Sequence, residues 1–125
     1  MTPLGAYLRQ ARADRGLSQK QMAADIGISA AYLSALEHGR RGVPSFAMLQ
    51  RIIGSLHIIW DEAEHVHHLA KMSDPKVTVD TVALSAEATE LANRMAADIH
   101  KLSADDCRAL IVRLDQLAGN GGQVK

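Results

Sequence analysis

The chain has 125 residues, 47% of them hydrophobic, enough for one compact domain or a small domain with an appendage, and large multi-domain architectures are excluded. Its four aromatics are Tyr7, Tyr32, Phe46 and Trp60, and the plentiful Ala, Leu and Ile favour helices packed through small aliphatic side chains, hence an all-α fold. The zero formal charge hides an asymmetry: residues 1–54 carry seven Lys/Arg against three acids, a surplus of +4 that the remainder cancels with −4. Screening over about 8 Å leaves such a basic stretch free to meet phosphates.

In chain order, Thr2 followed by Pro3 reads as an N-cap with proline at the first helical position, and Leu4, Tyr7, Leu8 and Ala11 recur at helical spacing until Gly16. Ser18 with Gln21 makes a capping-box pattern for a short second helix whose stripe is Met22, Ala23 and Ile26, ending at Gly27. Only Ile28 separates Gly27 from Ser29, so the chain turns sharply into a third helix buried through Leu33 and Leu36 and stopped by Gly39. After the basic loop 40–44, Ser45 caps a fourth helix with Met48, Leu49, Ile52, Ile53 and Leu56 on one side. A fifth helix spans about Ile58 to Met72.

Ser73-Asp74-Pro75 is a break, and residues 73–85 form a linker in which KVTVDTV is either extended or a short strand. Residues 86–118 then hold two amphipathic helices, one through Leu91, Met95 and Ile99, the next capped by Ser103 and carrying Cys107, Leu110, Ile111, Leu114 and Leu117. They are expected to form a helical hairpin whose apolar surface is too large to stand alone, so these leucines, isoleucines and Met95 are the candidate dimer interface. Residues 119–125 are expected to be a disordered tail.

The run LSQKQMAADIGISAAYLSALEHG, residues 17–39, resembles the helix-turn-helix of the Cro/CI-type (Xre family) repressors. The shared pattern is Leu17-Ser18-Gln19, Ala23, Gly27, Ser29, Leu33, Leu36, Glu37 and Gly39. The resemblance implies a five-helix, lambda-repressor-like DNA-binding domain over residues 1–72. Physical reasons stand beside it: Ala23 is small where the third helix crosses the second, and Gly27 supplies a positive φ. The third helix can then enter the major groove with its N-terminal residues nearest the bases. Candidate base readers are Ser29, Ala30, Ala31, Tyr32 and Ser34. Many members of the family carry amides where this chain has Ala30 and Ala31. Alanine makes no bidentate hydrogen bond, so readout rests on thymine methyls, the hydroxyls and DNA shape. Candidate phosphate contacts are Gln19, Lys20, His38, Arg40 and Arg41, while Arg12 and Glu37 resemble the family's structural pair between helices one and three.

Asp61, Glu64, His65, His67 and His68 could place metal ligands one turn apart. A solvated helical face is the plainer account, so neither metal nor cofactor is expected. The single Cys107 is read as a small core hydrophobe, and it cannot form an internal disulfide. No phosphate loop, nucleophile elbow or HExxH pattern occurs. MTPLGAYLRQAR lacks a leader pattern, and no apolar run approaches the roughly 20 residues of a membrane span. The expectation is therefore a cytoplasmic, non-enzymatic, homodimeric regulator that reads a duplex operator, with repression as the expected sign. An antitoxin that binds a toxin or another regulatory protein through its C-terminal segment is the alternative.

Overall fold

The computed structural model describes residues 1–119, which divide into one unit, Met1–Val77, and another from Thr78 onward. The element order is α1 (Pro3–Asp14), α2 (Gln19–Ile26), α3 (Ala30–Glu37), α4 (Phe46–Ser55), α5 (Trp60–Lys71), α6 (Ala86–Asp98), a 3-10 turn (Ile99–Lys101) and α7 (Ala104–Ala118). No strand occurs among the described residues, and no helix there is long and apolar enough to cross a membrane. The tail expected after Ala118 lies, from residue 120 on, outside the described residues.

Each of the first four helices begins where a hydroxyl can take a free N–H. Thr2, Ser18, Ser29 and Ser45 accept from Gly5, Gln21, Tyr32 and Met48 respectively, and Gln21 returns the bond to Ser18 in a full capping box. The fifth starts at Trp60 without a side-chain cap but has Asp61 and Glu62 in its first turn, where negative charge suits the helix dipole.

Leu8, Met22, Leu33, Ile52 and Val66, one from each of α1 to α5, are fully buried and meet at the centre of the core. Leu4, Ala11, Ala23, Ile26, Leu36, Leu49, Ile53, Leu56 and Ala70 surround them. At roughly 1.5–3 kcal/mol for each fully buried large aliphatic side chain, this core is what holds eight-residue helices that would not persist alone. Two small residues let the helices approach. Ala23 is buried in α2, and a Cβ on Gly5 would lie 2.5 Å from the Leu36 carbonyl oxygen, so α1 and α3 touch through their backbones.

Ser73, at the expected break, is buried and closes the unit. Its Oγ accepts from the Leu4 N–H at 2.9 Å and donates to the Leu69 carbonyl, joining the start of α1 to the end of α5.

The KVTVDTV segment, which runs across the boundary between the units, is not a strand. No described strand pairs with it; Asp74 and Asp80 instead accept from the N–H groups two residues on, at Lys76 and Val82, and the Thr81 carbonyl accepts from the Leu84 N–H, bending the chain locally. Helix α6 is capped by Ser85, and α7 by a Ser103–Asp106 box. Those Ser103 hydrogen bonds, the backbone one first, hold the Asp106 carboxyl below its ordinary range. The bond that the Asp106 carboxylate accepts is therefore fully present above that range and is lost as the pH falls through the lowered pKa, while the bond from the Asp106 N–H to the Ser103 Oγ remains. Neither α6 nor α7 contains a buried residue. The expected hairpin is thus a succession of two helices without a buried seam, because the 3-10 turn and extended Leu102 redirect the chain between them.

Ser73→Ala removes the acceptor of a buried N–H without creating a large cavity. We expect it to cost about 1–2 kcal/mol in urea unfolding, with the midpoint lowered and the slope unchanged.

Candidate nucleic-acid interface

Gly27 ends α2 at φ +85, in the left-handed region, and its N–H reaches back to the Ala23 and Ala24 carbonyls while the Ile28 N–H also bonds Ala23. The chain reverses within Gly27-Ile28-Ser29, and α3 begins at Ala30. Leu33 and Leu36 anchor α3 to the core, which leaves Ser29, Ala30 and Ala31 exposed and Tyr32 and Ser34 half-buried. Two exposed alanines at the start of a helix present a flat surface, one that can come close to another body without a side chain intervening.

Some of the candidate contact residues are engaged in the protein itself. The Ser29 Oγ accepts from the Tyr32 N–H at 3.0 Å, so this hydroxyl is a cap first. The Arg41 guanidinium lies 5.4 Å from the centre of the Tyr32 ring, a cation–π contact that holds the basic loop beside α3. His38 donates from Nδ1 to the Ser34 carbonyl at 2.8 Å, which leaves Nε2 as its free nitrogen. Lys20, Arg40 and Arg41 are exposed and enter no ion pair among the described residues.

Behind this face Glu37 is 0% exposed. Arg12 grips its carboxylate with Nε on Oε2 and Nη2 on Oε1, both at 3.0 Å, and reaches the Leu17 carbonyl with Nη1 at 3.3 Å. The hydrogen bond to Glu37 raises the Arg12 pKa still further. Gln19 donates from Nε2 to the same Oε1 at 3.1 Å. The Gln19 side chain, expected at a phosphate, is thus tied inward and links the start of α2 to the α1–α3 pair.

Residues 3–54 match the family of helix-turn-helix domains. Over 97 residues the chain is 32% identical to the HTH-type transcriptional repressor RghR of Bacillus subtilis strain 168, an alignment covering 74% of this chain and 72% of RghR. The chain belongs to the helix-turn-helix transcriptional regulators. It is also 36% identical over 61 residues to the uncharacterized HTH-type transcriptional regulator RghRB of the same organism, covering 49% of this chain and 44% of that protein. The Cro/CI-type pattern at residues 17–39 lies inside the matched residues 3–54 and is consistent with this membership, and this helix-turn-helix protein is a DNA-binding regulator of transcription.

The other candidate residues fall outside residues 17–39 of the chain. Asp61, Glu64, His65 and His68 are not assembled as a set of three or more ligands among the described residues. His65 meets Tyr7 edge-on at 6.0 Å, and His67 stacks on Phe46 at 5.2 Å and donates from Nε2 to Gln50 at 3.2 Å. Leu91, Met95, Ile99, Leu110, Ile111, Leu114 and Leu117 are all exposed, and Cys107 is half-buried. Sequence reasoning missed Arg51 and Ser55, whose side chains reach from α4 to the helix-turn-helix corner. Arg51 entered it only as a charge. The available signal was their spacing of four on the polar side of α4, which names no target.

Arg12→Met should leave the buried Glu37 carboxylate with Gln19 alone. Breaking a buried pair from one side costs about 3 kcal/mol or more, so we expect a large drop in the denaturation midpoint, and a smaller one for the double variant Arg12→Met, Glu37→Gln.

Proposed function

We propose that this helix-turn-helix regulator is a homodimeric repressor, each subunit laying α3 into the major groove of one half-site. The observation that carries the reading is the exposed, alanine-faced start of α3 with Lys20, Arg40 and Arg41 standing unpaired beside it. Cations position a protein on the phosphates and base edges give the sequence. Ser29, Ala30, Ala31, Tyr32 and Ser34 are assigned to the bases, and Lys20, His38, Arg40 and Arg41 to the backbone. Gln19 joins them through the second hydrogen of Nε2, since its bond to Glu37 uses only one of the two amide donors. With alanines at the two foremost positions, recognition draws on thymine methyls and on DNA shape. The description of RghR as a repressor supports the sign of regulation.

The assignment of residues 86–118 to dimerisation rests on the exposed apolar side chains of α6 and α7 and on the gain in specificity from two half-sites spaced about 34 Å. A surface of this kind on a helix needs a cover in water.

Two measurements test the reading. In titrations of a duplex the wild-type chain selects from a random library, Ala30→Glu should weaken binding at least about tenfold at fixed salt, roughly 1.4 kcal/mol, by setting a carboxylate against base acceptors. Unchanged affinity would show that α3 does not read the groove. In sedimentation of the full chain, Leu114→Asp should convert a dimer to a monomer with its helical signal retained. A persisting dimer would move the interface out of α7. A wild-type chain that is monomeric alone but purifies as a stoichiometric complex with a small toxin would replace the homodimer by the antitoxin reading.

A further inference from the structure

The last carbonyls of a helix have no intrahelical N–H to bond and carry the negative end of its dipole. At the end of α2 they are met by side chains from α4. Arg51 donates from Nη2 to both the Ile26 and Gly27 carbonyl oxygens at 3.0 Å, and Ser55 donates from Oγ to the Asp25 carbonyl at 3.2 Å. Arg51 and Ser55 are four residues apart and so share one face of α4. Leu49, Ile52 and Ile53 fix that helix in the core. Three successive carbonyls, running through the corner of the helix-turn-helix, are therefore held by a rigid neighbour that belongs to neither of its helices.

The positive φ of Gly27 favours glycine at the corner, and the contact with Arg51 gives any replacement a second consequence. A Cβ at Gly27 would press on the tip of Arg51, so a side chain there would push the guanidinium off both carbonyls.

The corner is a sensitive place to hold. Helix α3 has eight residues, about 12 Å at 1.5 Å per residue, so a 20° change at the corner moves its far end by roughly 4 Å and turns Ala30 and Ala31, at its start, through the same angle. Base readout tolerates only about 0.5 Å or 10–20°. Ala30 and Ala31 cannot reach out to compensate for a misplaced helix.

We propose that Arg51 is a positioning residue for sequence recognition: from α4 it locks the Ile26–Gly27 corner and so sets the angle at which α3 meets DNA, without itself touching a phosphate or a base. The proposal rests on the reading of α3 as the groove-binding helix. It separates Arg51 from Lys20, Arg40 and Arg41, with which its charge would otherwise group it.

The test uses the full chain with Arg51→Met, which keeps the stem and removes the donors, Arg51→Lys, and Arg40→Gln as a phosphate-contact control. Affinity is measured against salt for a 20-base-pair duplex of random sequence and for the duplex selected by the wild type. Amide exchange is followed at Ile28 and Leu33 without DNA. Arg51→Met should leave the salt slope on random duplex unchanged, whereas Arg40→Gln lowers it by about 0.9. It should also reduce the preference for the selected duplex at least about tenfold and speed exchange at Ile28 and Leu33, with Arg51→Lys in between. A salt slope lowered by about one in Arg51→Met overturns the proposal by marking a phosphate contact. Lost preference with unchanged exchange overturns it by marking a base contact, and unchanged preference overturns it outright. If Arg51→Met does not fold, Arg51→Lys is judged by the same three readouts. If the wild type prefers no duplex, the reading of α3 fails instead, and faster exchange at Ile28 still identifies the clamp.

Discussion

A carboxylate removed from water sets the frame of the DNA-binding unit. Glu37 is fully buried near the end of α3, and an unpaired charge there would cost several kcal/mol. Its oxygens are satisfied only when Arg12 of α1 and Gln19 of α2 arrive at hydrogen-bond distance together. Apolar packing alone tolerates sliding and repacking. The Arg12 fork meeting a fixed carboxylate does not, since both of its hydrogen bonds have a required direction. Helices α1, α2 and α3 are thereby held in one arrangement.

The short helix α2 is secured by polar contacts at both ends. Gln19 at its first residue bonds into the Glu37 cluster, and the carbonyls at its last residues bond Arg51 and Ser55 of α4. Eight residues form too few intrahelical bonds to persist alone, so these end contacts and the buried Met22, Ala23 and Ile26 define where α2 lies. What α3 offers outward is correspondingly plain: two alanines, a capping serine and a tyrosine beneath Arg41. A surface with so little reach depends on the accuracy of its placement, and under the proposed reading of α3 that gives the polar framework behind it a direct bearing on recognition.

The second unit follows other physics. Its helices are well capped and amphipathic, yet the apolar side of each faces outward. Local signals are sufficient to form α6 and α7 but not to bury them, because burial requires a second surface. The first unit has such surfaces in its own five helices.

Much of the architecture was legible in the residues themselves. Capping serines, the Pro3 start, the Gly27 stop and the helical spacing of Leu and Ile located the helices closely, since these are local preferences written within a few neighbouring residues. The run from Leu17 to Gly39 likewise declared the helix-turn-helix, because its small residues and turn glycine are needed wherever two helices cross so tightly. Only the tertiary structure decided what the polar side chains do. Gln19 turned inward to Glu37, Ser73 became a buried latch on Leu4, and Arg51, one of seven basic residues in 1–54, reached the corner between α2 and α3. A long side chain's partner is set by what the fold brings within about 3 Å of its tip, across separations as large as 69 residues, and no pattern along the chain encodes that distance.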